Sequence, residues 1–467
     1  MRPISPDVFR AYDIRGIVDR DFDPEWVETL GRACGTYFRE NGQTHALVGH
    51  DCRHSSIAYQ QSMVQGLMDA GVDITALPMV PTPVLYYAVR TLKRQAGVMI
   101  TASHNPPEYN GFKVWSGANT VHSEQIQRIY QIMHSGCFAQ GRGVVSNVDI
   151  IPEYLSSLSS QTRLSTPVKV VVDGGNGAAG EICTQLLSQI GAEVIPLYCR
   201  PDPDFPHHHP DPTVLENIRD LQATVLELEA DLGIGLDGDG DRIGVIDEKG
   251  DLMYGDRLLA VFARKVLQEH PGAMILGEVK CSHLLFQDIS RHGGVPEMCK
   301  TGHSLIKARM REAGALLAGE MSGHMFFADR YFGFDDALYA AQRLVEILDT
   351  SSKPLSALLD DWPKTACTPE IRLDCPDANK FEIVDRAKAY FTPAENEYQV
   401  IDVDGVRLEF RDGWGLIRAS NTQPVLVLRF EAENDKRLQE IRDLVETPLH
   451  TWIKELTFSS FSYKTRY

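Results

Sequence analysis

The run "DGDGDR" at 237–242 sets three carboxylates at alternate positions with only glycine between them. Glycine lets the backbone curl until Asp237, Asp239 and Asp241 converge. Like charges that close call for a cation among them, and oxygen donors suit Mg²⁺ or Ca²⁺. Spacing separates the two ions. An EF-hand loop begins D-x-D-x-D and closes on an acid at its twelfth position, which here is Glu248, but its sixth position needs glycine and here is Arg242. The flanks "LGIGL" and "IGVID" read as strands rather than helices. A carboxylate cup with room left for water or phosphate suits Mg²⁺; an acidic surface turn is the plain alternative.

A second run, "TASHNPPEYNGFK" (101–113), puts Ser103 beside His104 after the apolar "GVMI". It is not G-x-S-x-G, so it is no nucleophile elbow. His104 could take the serine proton, but nothing local orients that ring as in a triad. In "RASNTQPVLVLRFEA" (418–432), Arg418 offers a fork for phosphate oxygens, and Ser420, Asn421 and Thr422 can fill the remaining acceptors; the plain alternative is a polar hairpin turn. "GEMSGH" (319–324) supplies Glu320, Ser322 and His324, groups suited to sugar hydroxyls. "KTGH" adds Lys300 and His303, "DIRG" adds Arg15, and Lys280 follows Val279. A serine among a metal cup and a phosphate loop suits phosphoryl transfer, where catalysis is mostly positioning and charge neutralisation. A phosphoserine carries about −1.5 to −2 charges near neutrality and would itself be a ligand for the cation.

A rival reading comes from "VVDGGNGAAG" (171–180), where Gly175, Gly177 and Gly180 form G-x-G-x-x-G between a strand and a helix. Glu193 lies near the distance of a ribose ligand but at the start of the next strand; Arg200 and Asp202 occupy that strand's end. A tight strand-to-helix turn explains the glycines as well. "PHHHP" (206–210) reads as a solvent-facing loop.

Elements that could position these groups alternate along most of the chain. Amphipathic periodicity predicts a helix over 24–41, and apolar runs predict strands over 45–51, 168–173 and 192–199. "AGVMITASHNP", "ADLGIGLDGDGDR" and "AGALLAGEMSGH" each run as a strand into a polar, Gly- or Pro-bearing loop. Ligand sites lie beyond the carboxyl ends of strands in open α/β sheets, so three such loops predict three similar domains facing one cleft. After about residue 363 the texture changes to adjacent strands around a turn and a helix over 434–456. The fold class is α/β: three related mixed-sheet domains at 1–149, 150–251 and 252–363, then an α+β domain at 364–467.

Bulk properties exclude several classes. A chain of 467 residues exceeds one core. Its net charge of −18, with no basic stripe, argues against nucleic acid and anionic membranes. An anionic substrate would have to meet locally placed Arg and Lys against that field. The charged N-terminal "MRPISPDVFRAYDIRG" reads as no signal peptide, and no apolar run reaches membrane-span length. Nine scattered cysteines without C-x-x-C suit a reducing cytoplasm.

These motifs, in order from "FRAYDIRG" through "TASHNPPEYNGFK", "DGDGDR", "KTGHSLIK" and "GEMSGH" to "GWGLIRASNTQPVLVLRFEA", resemble the α-D-phosphohexomutase family nearly end to end, most closely its bacterial branch acting on mannose and glucose phosphates. The resemblance implies that Ser103 is phosphorylated in the resting enzyme. Asp237, Asp239 and Asp241, with an oxygen of that phosphoserine, would hold one Mg²⁺. Arg15, Lys113 and Arg242 would neutralise the phosphoryl group in flight, with His303 transferring a proton and His104 supporting the serine loop. Glu320 and Ser322 would bind sugar hydroxyls; Arg418, Ser420, Asn421 and Thr422 would grip the phosphate that is not reacting; Tyr12, Lys280 and His324 would line the cleft. The implied reaction interconverts hexose 6- and 1-phosphates through a hexose 1,6-bisphosphate, in a monomer. Phosphoglucosamine mutase, an NAD(P)-dependent sugar oxidoreductase built on Gly175–Gly180, and a non-catalytic sugar-phosphate sensor remain alternatives. The chain departs from the family at His50 and Cys52, where altered packing rather than altered chemistry is expected. No role is assigned to the tail "TFSSFSYKTRY".

Overall fold

Asp23 opens the first long helix by accepting the N–H of Trp26 at 2.7 Å, and Pro24 occupies its first turn. That helix, Pro24–Glu40, buries Trp26, Val27, Leu30 and Phe38 on one face. Its predicted period is the one observed. The computed structural model describes residues 2–392, 397–421 and 423–462.

The first sheet contains β1 (Ile14–Ile17), β2 (His45–His50), β3 (Asp73–Met79), β4 (Ala96–Ile100), β5 (Tyr109–Ser116), β6 (Asn119–Thr120) and β7 (Val145–Asn147), in the order β1-β5-β4-β2-β3-β7 with β6 against β5. The second contains β8 (Lys169–Asp173), β9 (Glu193–Leu197), β10 (Leu232–Leu236), β11 (Ile243–Asp247) and β12 (Leu252–Met253), ordered β12-β11-β10-β8-β9. The third contains β13 (Met274–Glu278), β14 (Val295–Cys299), β15 (Leu317–Gly319) and β16 (Met325–Phe327), ordered β14-β13-β15-β16.

One unit recurs in all three. Two strands flank a central one in parallel, and the next strand returns antiparallel: β4 to β5, β10 to β11, β15 to β16. Each return loop follows the carboxyl end of a parallel strand, and these loops carry Ser103, the aspartate triplet, and Glu320 to His324. The repeat of lead-in, strand and polar loop seen in the sequence is therefore one topological position used three times.

The fourth sheet is antiparallel throughout: β17 (Ala366–Cys367), β18 (Ile371–Asp374), β19 (Tyr398–Ile401), β20 (Val406–Phe410), β21 (Gly413–Ala419) and β22 (Val425–Ala432), with β17 and β18 both against β22. The closing helix, Asp435–Ser462, runs past the predicted 456 and carries Pro448 inside it. One continuous apolar core joins parts of the first three domains, whereas the fourth has its own around Phe391, Leu428 and Trp452. Val279 of the third domain also packs with Trp414 and Leu416 of the fourth. Among the described residues, no helix is long and apolar enough to cross a membrane.

Candidate active site

Ser103 sits just past β4 with φ of 52° and is 2% exposed. A left-handed backbone is unusual for a non-glycine residue and persists only where its surroundings enforce it. Here the enforcing group is Arg53. Its guanidinium donates to the carbonyls of Ser103 (2.9 Å), Asn105, Pro106 (2.6 Å) and Tyr109 (2.9 Å), and its Nε to Asp51 (3.1 Å). Thr101 Oγ1 takes the Ser103 N–H at 2.9 Å. So held, Ser103 Oγ lies 2.7 Å from Asp237 Oδ2 and 3.0 Å from His104 Nδ1. Burial, then the nearby Arg242, Arg15 and Lys113 charges, push His104 well below the usual imidazole range, so its ring is neutral.

Replacing Arg53 by alanine is expected to lower turnover about a hundredfold by letting the serine loop relax. It should also cost about 3–5 kcal/mol of stability, because Asp51 loses its buried partner. Lysine should not rescue either quantity, since one ammonium cannot fork to four carbonyls. Denaturant midpoints and kcat of both variants check this.

Asp237, Asp239 and Asp241 are fully buried, and their ligand atoms lie within 4.8 Å of one another. Asp237 Oδ1 accepts the N–H groups of Asp241 (3.0 Å) and Arg242 (3.1 Å). Lys113 donates to Asp239 Oδ2 at 2.7 Å and to Asp241 Oδ2, and Thr82 also donates to Asp239. Burial, then the Asp239 and Asp241 charges, push Asp237 well above the usual carboxylate range. Burial would raise Asp239 too, but Lys113 and Thr82 pull it below its ordinary value. Asp239 Oδ1 and Asp241 Oδ1 are buried with no hydrogen-bond partner. Two orphaned hard oxygens in an excess of negative charge are what a divalent cation would satisfy, so the residues fit Mg²⁺.

The glycines explain how the loops meet. A Cβ on Gly238 would lie 2.5 Å from the Ser103 carbonyl oxygen, and one on Gly177 would lie 2.7 Å from that of Gly238. The G-x-G-x-x-G run therefore backs the aspartate loop rather than a dinucleotide. Its amides are spent internally: Gly174 on Leu197, Gly175 on Asp173, Asn176 on Tyr198, Gly177 on Gly174 and Ala178 on Gly238. That leaves none of those N–H groups for a pyrophosphate. Arg200 and Asp202 instead line a separate cavity of about 580 Å³ with Tyr198 and His207. Of the PHHHP tract, His207 and His209 are exposed as predicted, but His208 packs inward, with Nε2 3.0 Å from Asp173.

Between β15 and β16, Glu320 is buried and accepts from the Gly302 N–H at 2.6 Å and the Ser322 hydroxyl at 2.8 Å. His324 Nε2 takes Arg242 Nε at 3.0 Å, while its Nδ1 lies 3.1 Å from Asp335. The His303 and His324 rings stack at 5.4 Å, and Tyr12 reaches from the first domain to meet His303 edge-on at 5.2 Å. His303 Nδ1 lies 3.1 Å from Lys307 Nζ and 3.4 Å from Asp335 Oδ2. One nitrogen cannot accept from the lysine and donate to the carboxylate at once. With its proton on Nδ1, facing Asp335, the ring keeps the Nε2 lone pair open to accept another; burial and then Lys307 lower this group to about 4.

In the fourth domain Arg418, next to last in β21, has its Nε on Asp404 at 3.1 Å. Ser420 Oγ accepts the Gln423 N–H at 3.1 Å, and Asn421 is half-buried in the same turn. Thr422 lies outside the described residues. Lys280, read from sequence as cleft-lining, is 7% exposed and is tied to Glu370 at 3.0 Å, with Glu278 at 3.7 Å. Arg15 bonds Asn105 and Asp13, both at 2.6 Å, and so braces the serine loop from β1. His50 is buried, its Nδ1 2.7 Å from the Asp51 carbonyl oxygen, and Cys52 Sγ lies 3.6 Å from the Asn176 carbonyl oxygen.

Sequence reasoning missed Arg53, Thr82, Lys307, Asp335 and Asp404. Lys307 had a signal, four residues after His303 on one helix face. The others depend on chain crossings that no local pattern reports.

Four family models cover the chain: the Phosphoglucomutase/phosphomannomutase alpha/beta/alpha domains I, II and III at residues 6–140, 152–250 and 254–365, and the family's C-terminal domain at 370–447. The chain belongs to the phosphoglucomutase/phosphomannomutase family. It is 46% identical over 446 residues to a phosphomannomutase/phosphoglucomutase of Pseudomonas aeruginosa, covering 96% of each chain. It is 42% identical over 448 residues to a phosphoglucomutase of Neisseria gonorrhoeae, covering 95% of this chain and 96% of that one. A solved structure of a phosphoglucomutase/phosphomannomutase family protein from Burkholderia thailandensis superposes with a TM-score of 0.91 at 40% identity, covering 97% of this chain and 98% of that one.

Proposed function

We propose that this chain reversibly interconverts hexose 6-phosphates and hexose 1-phosphates of glucose and mannose through a phosphorylated Ser103. The observation that carries this reading is Ser103 Oγ held 2.7 Å from Asp237 in a strained loop, inside a chain whose four domains match the family. The Ser103 Oγ–P bond breaks as a new P–O bond forms to the free sugar hydroxyl, and that hydroxyl's proton passes to His303, which is neutral at pH 7. The resulting 1,6-bisphosphate turns around while bound, and its other phosphoryl group returns to Ser103 Oγ as the sugar O–P bond breaks and His303 gives its proton to the sugar oxygen released. Mg²⁺ held by Asp237, Asp239 and Asp241 would supply positive charge to the moving phosphoryl oxygens. Lys113, Arg15 and Arg242 add to that charge, and Arg418, Ser420, Asn421 and Thr422 hold the phosphate at rest. A hexose 1,6-bisphosphate would load Ser103 at the outset.

Glucose and mannose differ only at C2, so Glu320 and Ser322, gripping hydroxyls elsewhere on the ring, accept both. Closure of the fourth domain keeps the bisphosphate in and water out. A monomer is part of the proposal, and nine unpaired cysteines support a reducing cytoplasm.

Phosphorus NMR tests the reading: chain, Mg²⁺, a trace of glucose 1,6-bisphosphate, and glucose, mannose or glucosamine 1-phosphate in parallel. The glucose and mannose esters should convert to 6-phosphates. Conversion of glucosamine 1-phosphate alone would reassign the sugar, and conversion of none would end the proposal. Arg418→Ala is expected to raise KM for glucose 1-phosphate about tenfold to a hundredfold, with a smaller change in kcat, because the lost fork binds substrate and transition state alike. Initial rates against substrate concentration check it.

A further inference from the structure

Several contacts join the fourth domain to the third, among them the ion pairs Lys280–Glu370 and His283–Glu409. Deep in the interface, Arg407 donates to the carbonyls of Val279 and Cys281, both at 2.7 Å, and its guanidinium lies 3.8 Å from the Trp414 ring centre. Arg429 donates to the Lys280 carbonyl, and Val279, Trp414 and Leu416 form a small shared core. These groups are buried.

A further link runs through Asp404, in the turn between β19 and β20. A single oxygen, Asp404 Oδ2, accepts Arg418 Nε at 3.1 Å and the backbone N–H of Thr301 at 3.0 Å. Arg418 belongs to the phosphate-gripping hairpin. Thr301 belongs to the third domain, two residues before His303, and its hydroxyl donates to Glu278 at 2.7 Å. The neighbouring Gly302 N–H goes to Glu320 at 2.6 Å.

We propose that Asp404 is a positioning residue for phosphosugar turnover: it fixes Arg418 by its Nε edge, leaving the Nη pair for phosphate, and fastens that arginine to the loop bearing His303. The kinetic half rests on the hexose phosphate reading above; the structural half does not. A free guanidinium samples many rotamers, and a carboxylate on Nε selects one plane for the fork. The Thr301 bond then sets the distance from the phosphate grip to the proton-transfer group. Because one oxygen does both, charge and acceptor can be separated by substitution. Asparagine keeps an acceptor and loses the charge; alanine loses both.

The test uses the full chain with Asp404→Asn and Asp404→Ala. Asp404→Asn should raise KM for glucose 1-phosphate about tenfold with kcat within about a factor of two. Asp404→Ala should raise KM at least as much and also lower kcat about tenfold. Hydrogen exchange gives a reading independent of activity: the Thr301 amide should be protected in the wild type and Asp404→Asn, and exchange fast in a folded Asp404→Ala. A purely structural role would lower the melting temperature of both variants without this split of KM and kcat. Equal protection of Thr301 in Asp404→Ala, or an unchanged KM in Asp404→Asn, would overturn the proposal. A wild-type chain inert toward hexose phosphates would fault the hexose phosphate reading, while the exchange measurement would still decide whether Asp404 holds Thr301.

Discussion

Ser103→Ala is expected to lower kcat by at least about a thousandfold while leaving KM for hexose phosphates within about a factor of three. The split follows from where the groups sit. Ser103 Oγ touches Asp237 and His104, whereas the candidate sugar and phosphate grips are on the β15–β16 and β21–β22 loops. Removing the oxygen removes the phosphoryl carrier but no part of those grips. Alanine also keeps the Cβ, so Arg53 and Thr101 still hold the loop by its backbone and the loss is of chemistry rather than of placement. Steady-state rates with bisphosphate supplied check this, with isothermal binding of glucose 1-phosphate as the control. Wild-type turnover in the variant would remove Ser103 from the mechanism.

Chelation should have an effect of similar size. With a divalent cation stripped, the three buried carboxylates beside the serine are left with Lys113 and Arg242 as their cationic neighbours. An incoming phosphate dianion then lacks the divalent charge at the point where its own charge must be neutralised. Turnover in excess chelator should fall by at least about a hundredfold and return on titration with Mg²⁺. The cation should also raise the melting temperature, because the orphaned Asp239 and Asp241 oxygens gain a partner only in the folded chain. Full activity in chelator would contradict the role given to the triplet.

Much of this was legible in the sequence because the chemistry is carried in short runs. The aspartate spacing reports itself, since alternate carboxylates separated by glycine have few structural uses. The three loops were legible as a repeat, and the sheets show why: each is the return loop after a parallel strand, so each inherits the same strand-then-polar pattern. Boundaries held to within a few residues where a cap or a turn marks them, as at Asp23 and His50, and less well for the closing helix, whose Pro448 did not end it.

What was not legible is the support. Arg53 reads as one more charged residue in "HDCRHSS", yet it holds the backbone of the nucleophile loop through bonds spanning about fifty residues of sequence. Asp335 gathers His303, Lys307 and His324 from separate elements of the third domain, Asp404 acts across domains, and Lys280, read as cleft-lining, finds its partner Glu370 ninety residues on. The fingerprint glycines misled for a physical reason: a close backbone approach needs glycine whether the neighbour is a pyrophosphate or another loop. Here the neighbour is Gly238.

The most direct test follows the phosphoryl group itself. The chain is loaded with radiolabelled glucose 1,6-bisphosphate and Mg²⁺, freed of excess label, and mapped by peptide mass spectrometry. It is then chased with unlabelled glucose 1-phosphate. The label should sit on Ser103 and leave it for hexose phosphate at a rate no slower than turnover. Isomerisation that proceeds with Ser103 never labelled, or with label that the chase cannot remove, would contradict the account.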